Sequence, residues 1–167
     1  DAFLLGSELR GLTSIRDARE SFPFVTHLCG LAGEMRVKLG AGCRISYGAD
    51  WTEYFGYQAQ DGTGDFYFNL DPLWSHPAID AVGIDNYMPL SDWRDSDLRG
   101  GNPDGFEGPY DLDGLLQSVE AREGFDWYYA NSQDRDERKR TRITDGLAGK
   151  PWVYRYKDIR AWWSNPH

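Results

Sequence analysis

The chain has 167 residues, of which 27 are acidic and 18 basic, so its formal net charge at pH 7 is -9. This length predicts a single domain. The acidic balance argues against nucleic acid as a partner, because affinity for phosphates depends on clustered lysine and arginine. No apolar run approaches the roughly 20 residues that cross a bilayer, so membrane insertion is not expected either.

The first part of the chain predicts two strands separated by a long helix. Ala2 to Ser7 is a continuous apolar run, which is typical of a buried strand. Ser21 is a candidate N-cap, and apolar residues then recur at helical spacing as far as Leu39. Cys43 to Gly48 predicts the second strand.

The elements that follow are shorter and lie between turn-rich segments. Residues 52–78 indicate a long loop with a short helix near residues 72–75. The further predicted elements are a third strand from Ala78 to Asn86, a helix over residues 112–119 capped by Asp111, an aromatic and then charged helix over residues 125–138, and a fourth strand from Pro151 to Tyr156.

Strands that alternate with helices favour an α/β fold with a mainly parallel sheet. A complete barrel of eight strand–helix units needs about 250 residues. With three or four strands, this chain could supply about half of one. It begins in an apolar strand and stops just after Trp162 and Trp163, so we expect a piece cut from a longer chain.

The sequence predicts neither a metal site nor a cofactor. Its three histidines lack metal-ligand spacing, and the loop from Asp61 to Asp65 lacks the closing glutamate of a calcium loop. There is no phosphate-binding glycine loop. Cys29 and Cys43 are too few for a disulfide framework, and their surroundings favour small buried side chains.

Polar and aromatic side chains cluster where the first three predicted strands end. In β/α folds, ligands meet the carboxyl ends of strands, so these positions are the first candidates for a site. They are Ser7 and Glu8 after the first strand, Tyr47, Asp50 and Trp51 at the end of the second, and Asp85, Asn86 and Tyr87 at the end of the third.

This mixture suits a sugar, because aromatic faces stack on pyranose rings while carboxylates and amides bind hydroxyls. Glycosidic cleavage needs two carboxyl groups, one of which donates a proton. Glu8 follows an apolar strand and is the candidate proton donor. The simpler interpretation of Glu8 is a loop carboxylate paired with Arg10 or Arg16.

Four segments carry a resemblance to a known family. They are Gly6–Gly11 (GSELRG), Ile45–Tyr54 (ISYGADWTEY), Val82–Trp93 (VGIDNYMPLSDW) and Gly149–Lys157 (GKPWVYRYK). Together they resemble the TIM-barrel-like domain of gene transfer agents, and the resemblance runs over essentially the whole chain. In that family the domain is one module of a large multidomain phage-tail or baseplate protein.

The resemblance implies roles for the candidate residues. The family is similar to retaining glycoside hydrolases with (β/α)8 barrels, in which the acid/base glutamate ends the fourth strand. Glu8 would then be the acid/base and Tyr87 would orient the nucleophile. The side chains expected to line the sugar groove are Ser7, Tyr47, Asp50, Trp51, Asp85 and Asn86.

The chain would be the central part of the barrel, with strands 43–48 and 78–86 as the fifth and sixth. Two departures accompany this interpretation. The barrel hydrolases usually carry asparagine before the acid/base, whereas this chain carries Ser7. The nucleophile has no candidate within residues 1–167, so this piece alone should be inactive.

The implied function is that of a glycoside hydrolase-like module on a particle tail or baseplate. It would act on cell-envelope polysaccharide, either peptidoglycan or capsule, and would contact other tail or baseplate proteins. The alternative is a non-catalytic module that binds glycan or serves as a baseplate scaffold, because fold alone does not settle function.

Overall fold

The computed structural model describes residues 1–144 and 146–167. The described chain falls into two compact units, Asp1–Tyr87 with Pro166–His167 and Met88–Asn165. In chain order, the first unit contains β1 (Ala2–Ser7), α1 (Arg10–Thr13), α2 (Pro23–Leu39), β2 (Arg44–Asp50), β3 (Tyr57–Gln58), β4 (Phe66–Tyr67), α3 (Asp71–Trp74) and β5 (Gly83–Asp85).

The core of the first unit is a three-stranded parallel sheet in the order β1–β2–β5. Each strand therefore lies beside the next one along the chain, as in successive β/α units. The central strand β2 is the most buried, and α2 covers the sheet with Val25, Leu28 and Ala32. The predicted α/β class and parallel sheet are confirmed, and β1, β2 and β5 together form an open three-stranded sheet.

The long helix α2 begins one residue later than the sequence predicts. Its N-cap is Phe22, which makes no side-chain cap hydrogen bond, and not Ser21. The Phe22 ring is buried edge-on against Tyr57 and Tyr67, with ring centroids 6.3 and 5.8 Å away. Aromatic packing, together with Pro23 in the first turn, therefore fixes the start of the helix.

The end of α2 is fastened to the start of β2. Gly40 terminates the helix at φ 70°, a conformation that favours glycine. The Arg36 guanidinium donates to the carbonyl oxygens of Cys43 (2.6 Å) and Ala78 (2.9 Å), and it also pairs with the Asp80 carboxylate. One side chain thus joins the helix end, the strand start and the segment that leads to β5.

The third strand is shorter than predicted. Only Gly83–Asp85 of the predicted segment from Ala78 to Asn86 forms a strand. Before it, Asp80 bonds to β2 through its side chain, because its carboxylate accepts the Ile45 amide at 2.7 Å. The predicted loop over residues 52–78 contains the two-residue pair β3–β4 as well as the expected short helix, α3.

The second unit is made of short elements. They are α4 (Asp97–Gly100), α5 (Leu112–Gln117), β6 (Trp127–Tyr128), α6 (Ser132–Asp136), β7 (Thr141–Arg142), two 3-10 turns (Gly146–Ala148 and Pro151–Tyr154) and α7 (Ile159–Ser164). The cap predicted for α5 is confirmed, because the Asp111 carboxylate accepts the Gly114 amide at 3.0 Å.

Two predictions for the second unit are wrong. Residues 125–138 do not form one helix: β6 and the short α6 occupy that stretch, and Arg122, Gly124 and Arg138 with positive φ bound it. The fourth predicted strand, from Pro151 to Tyr156, contains a 3-10 turn instead. Cys29 and Cys43 are free thiols and are half-buried, not fully buried as expected.

Lys157 joins three segments of the second unit. Its ammonium donates to the carbonyl oxygens of Pro89 (2.8 Å) and Ala121 (2.9 Å) and to that of Ser118. Only 5% of the residue is exposed, and burial lowers the pKa of its ammonium to about 8. At pH 7 the side chain is therefore mostly protonated and can serve all three acceptors.

Replacing Lys157 with methionine is expected to lower the free energy of unfolding by about 2 kcal/mol, because one buried and two half-buried carbonyl groups lose their donor. Urea denaturation at pH 7 measures this change. Lys139→Met is the matched control: its side chain is 70% exposed, so we expect a change below about 1 kcal/mol. Equal effects of the two substitutions would contradict the stabilising role of the three hydrogen bonds from Lys157.

Candidate functional site

The carboxyl ends of β1, β2 and β5 meet at one edge of the parallel sheet, which we call the carboxyl edge. The strand register places Ser7 opposite Gly48 and Asp50 opposite Asp85. Neighbouring strands are about 4.8 Å apart, so side chains from three distant parts of the sequence come together here. Four predicted site residues lie at this edge: Ser7, Glu8, Asp50 and Asp85.

Ser7 and Asp85 are joined directly across the central strand. The Ser7 hydroxyl donates to Asp85 Oδ2 at 2.7 Å. Gly48 of β2 lies beneath this bond: a Cβ at position 48 would be 3.0 Å from Asp85 Oδ2 and 3.2 Å from Ser7 Oγ. The missing side chain of Gly48 therefore leaves the space in which β1 and β5 make contact.

Glu8 occupies a backbone conformation that non-glycine residues rarely adopt. Its φ is 53°, in the left-handed region, where strain of about 1–2 kcal/mol is expected. Two hydrogen bonds hold the chain there: the Glu8 amide donates to the Gly48 carbonyl (2.8 Å), and the Leu9 amide donates to the Tyr47 hydroxyl (2.7 Å). The Glu8 side chain is exposed at the edge.

Tyr47 lies beneath the carboxyl edge. It has no exposed surface, and its hydroxyl accepts the Leu9 amide while donating to Glu53 Oε1 at 3.0 Å. Burial raises the pKa of Tyr47 well above its ordinary range, so the hydroxyl remains a donor. Although the sequence suggests a substrate contact, the geometry gives Tyr47 a positioning role below Glu8.

Glu53 is a member of this site that sequence reasoning missed. It is only 2% exposed, and its carboxylate accepts hydrogen bonds from Thr13 Oγ1 (2.5 Å), the Tyr47 hydroxyl (3.0 Å) and the Asp50 amide (3.2 Å). Burial raises the pKa of Glu53, while these three hydrogen bonds oppose that rise. Its position three residues after Asp50 is the spacing of a capping box, which could have revealed it.

The remaining predicted residues follow the strands. Asp50 Oδ1 accepts both the amide (2.7 Å) and the hydroxyl of Thr52, and this hydroxyl also accepts from the Arg10 guanidinium at 2.8 Å. Trp51 is half-buried in the turn after β2. Asn86 and Tyr87 come directly after β5 and are exposed, with 69% of Tyr87 accessible.

The described residues contain neither a cluster of metal-ligating side chains nor a helix suited to cross a membrane. Within residues 1–144 and 146–167, no three or more His, Cys, Asp and Glu side chains are grouped so as to hold a metal ion. None of the helices in this part of the chain combines the length and the apolar character that a membrane span needs.

The comparison with protein families settles the relationship. The sequence profile of the GTA TIM-barrel-like domain matches residues 1–167. The chain belongs to this family. The resemblance drawn from the sequence is therefore confirmed over the whole chain, and no curated protein matches it. The GTA TIM-barrel-like domain is found in gene transfer agent proteins, which belong to virion-like particles.

Proposed function

We propose that this GTA TIM-barrel-like domain is a glycoside hydrolase-like module that acts on cell-envelope glycan, either peptidoglycan or capsule. In this proposal β1, β2 and β5 are the fourth to sixth strands of a (β/α)8 barrel, and residues 1–167 are its central part. The module sits on the tail or baseplate of the particle, beside other tail proteins, and opens the cell envelope so that DNA can pass.

The strained backbone of Glu8 is the observation that carries the proposal. Unfavourable backbone conformations persist only where surrounding contacts impose them, and they concentrate at active sites. Here the strain falls on the one residue that the family resemblance marks as acid/base, and it is held by bonds to Gly48 and Tyr47. The strain directs Glu8 away from the regular course of β1.

The proposed reaction follows the retaining mechanism. Glu8 protonates the glycosidic oxygen as its bond to the anomeric carbon breaks, and a carboxylate supplied from outside this chain forms the covalent glycosyl intermediate. Tyr87 orients that carboxylate. Glu8, now ionised, then takes a proton from the water that releases the sugar. Ser7, Asp50, Trp51, Asp85 and Asn86 bind the glycan.

The test is clearing of peptidoglycan and capsular glycan by the intact protein, compared with its Glu8→Gln variant. Removing a general acid typically lowers the rate by about 100-fold to 10,000-fold, so we expect Glu8→Gln to lose clearing while still binding glycan. Glu34→Gln, on the exposed surface of α2, is the control and should clear normally. Equal clearing by wild type and Glu8→Gln would remove Glu8 from the mechanism.

The second candidate function is glycan binding without cleavage, or a structural role in the baseplate. The residue that favours it is Ser7, because barrel hydrolases usually carry asparagine at this position. The Ser7 hydroxyl also donates its hydrogen to Asp85 and not to a ligand. Retained sedimentation of the protein with insoluble glycan, with no clearing by the wild type, would support binding. Neither clearing nor binding would favour the structural role.

A further inference from the structure

The helix α5 leaves one apolar side uncovered. Its inner side is fixed to the second unit, because Ser118 has no exposed surface and a Cβ at Gly114 would lie 2.8 Å from the Phe106 ring. On the outer side, three residues at helical spacing expose half or more of their surface: Leu112, Leu116 and Val119. Tyr110, just before the helix, is 91% exposed. We call these four exposed residues the α5 face.

The α5 face has an acidic rim. Residues 100–121 contain no lysine, arginine or histidine. Of their carboxylates, that of Asp104 pairs with Arg122 and Arg140, and that of Asp111 caps α5. The others are exposed and belong to no ion pair among the described residues: Glu107, Asp113 and Glu120. Asp113 and Glu120 directly follow apolar residues of the α5 face, so uncompensated negative charge borders it.

The helix α7 carries an uncovered face of the opposite character. Its inner side holds the buried Trp162, whereas Ile159, Arg160 and Trp163 are exposed. Ile159 and Trp163 are four positions apart and therefore lie on one side of the helix. Arg160 forms no ion pair among the described residues, and residues 159–167 contain no acidic residue. We call Ile159, Arg160 and Trp163 the α7 face.

The two faces are complementary to each other and not to themselves. Two α5 faces brought together would oppose carboxylates, and two α7 faces would oppose guanidinium groups, so both pairings are disfavoured. An α5 face against an α7 face buries apolar side chains on both sides and gives Arg160 carboxylates to pair with. Tyrosine, tryptophan and arginine, which these faces expose, are the residues that most often contribute strongly to protein interfaces.

We propose that the α5 face of one copy of this chain binds the α7 face of a second copy. The contact joins two different surfaces, so each added copy leaves one face of each kind free, and the assembly either closes into a ring or grows as a chain. Neither face includes a residue of the carboxyl edge, so this self-association is independent of the glycan chemistry proposed above. Both faces belong to the second unit, which thereby gains a role in assembly.

Sedimentation velocity of the protein over about a 100-fold range of concentration tests the proposal, because association follows mass action. The wild type should shift from monomer to larger species as the concentration rises. Leu116→Glu brings a carboxylate into the α5 face, and Trp163→Ser removes the largest side chain of the α7 face. Each should raise the concentration needed for association at least about tenfold. Val37→Glu is the matched control and should associate normally, because Val37 is exposed on α2 and outside both faces.

Mixing the two variants gives the decisive measurement. The Leu116→Glu protein keeps its α7 face, and the Trp163→Ser protein keeps its α5 face. At a concentration at which each alone is monomeric, the mixture should therefore form one-to-one dimers and nothing larger. A mixture that stays monomeric overturns the proposal. So does a wild type that is monomeric at every concentration, or one whose association neither substitution weakens.

Charge reversal separates this contact from a purely apolar one. Arg160→Glu should weaken association at least about tenfold, because it opposes carboxylates across the contact. Adding Asp113→Lys and Glu120→Lys to this variant restores opposite charges and should recover association. If the charge-reversed protein associates no better than Arg160→Glu, the pairing of the two faces is overturned. Unchanged thermal midpoints in all variants show that the fold is intact.

Discussion

Replacing Glu53 with alanine is expected to lower the free energy of unfolding by about 4 kcal/mol. The substitution removes the acceptor of the buried Thr13 and Tyr47 hydroxyls and of the half-buried Asp50 amide. Each lost acceptor of a buried donor costs about 1–3 kcal/mol. Urea denaturation at pH 7 measures the change. Glu34→Ala on the exposed face of α2 should change it by less than about 0.5 kcal/mol.

The effect of Glu53 should also depend on pH in a defined direction. Burial raises the pKa of Glu53 in the native protein above that of an ordinary glutamate. At a pH between the unfolded and native pKa values, the native state therefore keeps a proton that the unfolded chain has released. The stabilisation from this proton is complete below about pH 4 and is lost as the pH rises through the native pKa. Relative to Glu53→Gln, the wild type should therefore lose stability as the pH increases over this range.

Denaturation of both proteins at a series of pH values tests the sign. If the wild type instead gained stability relative to Glu53→Gln between acidic and neutral pH, the raised pKa of Glu53 would be contradicted. Glu53→Ala should also reduce glycan clearing. Glu53 accepts a hydrogen bond from the Tyr47 hydroxyl, and this hydroxyl accepts the amide of Leu9, the residue next to Glu8. Glu53 is thus coupled to the proposed acid/base without contacting the substrate.

Gly83→Ala is expected to cost at least about 3 kcal/mol of stability, at the upper end for overpacking. A Cβ at this position would lie 2.4 Å from the Tyr47 carbonyl oxygen and 3.2 Å from its carbonyl carbon. Both atoms belong to the backbone of β2, so they cannot move without disturbing the pairing of β2 with β5. Urea denaturation at pH 7 measures the loss.

Gly30→Ala is the matched control for this substitution. Gly30 lies within α2, and apart from its chain neighbours and the backbone of α2 itself, no atom is within 4 Å of a Cβ added there. Alanine should raise stability here by about 0.5–1 kcal/mol, because glycine is unfavourable inside a helix. A Gly83→Ala protein as stable as the wild type would contradict this prediction. It would show that β5 can move away from β2 without loss of stability, so the close approach of the two strands at Gly83 would not be needed to place Asp85 beside Ser7.

The sequence predicted the first unit better than the second, for physical reasons. The apolar run of β1 and the helical spacing of α2 reflect burial against a sheet, which periodicity detects. The short elements of the second unit depend on ion pairs between distant residues. Examples are Arg138 with Asp97 and Arg140 with Asp104, and no local pattern of residues indicates which charges will meet.

The candidate site was also predicted only in part. The predicted strand ends identified Ser7, Glu8, Asp50 and Asp85, because parallel strands bring their carboxyl ends together. Glu53 escaped notice because a buried acid cannot be distinguished from a surface acid by residue type alone. The strain at Glu8 was equally hidden, since a positive φ at a non-glycine residue depends on contacts with Gly48 and Tyr47 that only the folded sheet provides.

The hydrogen bonds and ion pair of Arg36 stabilise the end of the sheet that lies away from the candidate site. Its guanidinium and the Asp80 carboxylate, whose pKa the Ile45 amide and Arg36 lower to about 2, secure the amino ends of the strands. The chemistry proposed for the domain lies at the opposite end of the same strands. Loops that follow β1, β2 and β5 could therefore be exchanged to engineer new glycan preferences while the anchoring end keeps the scaffold folded.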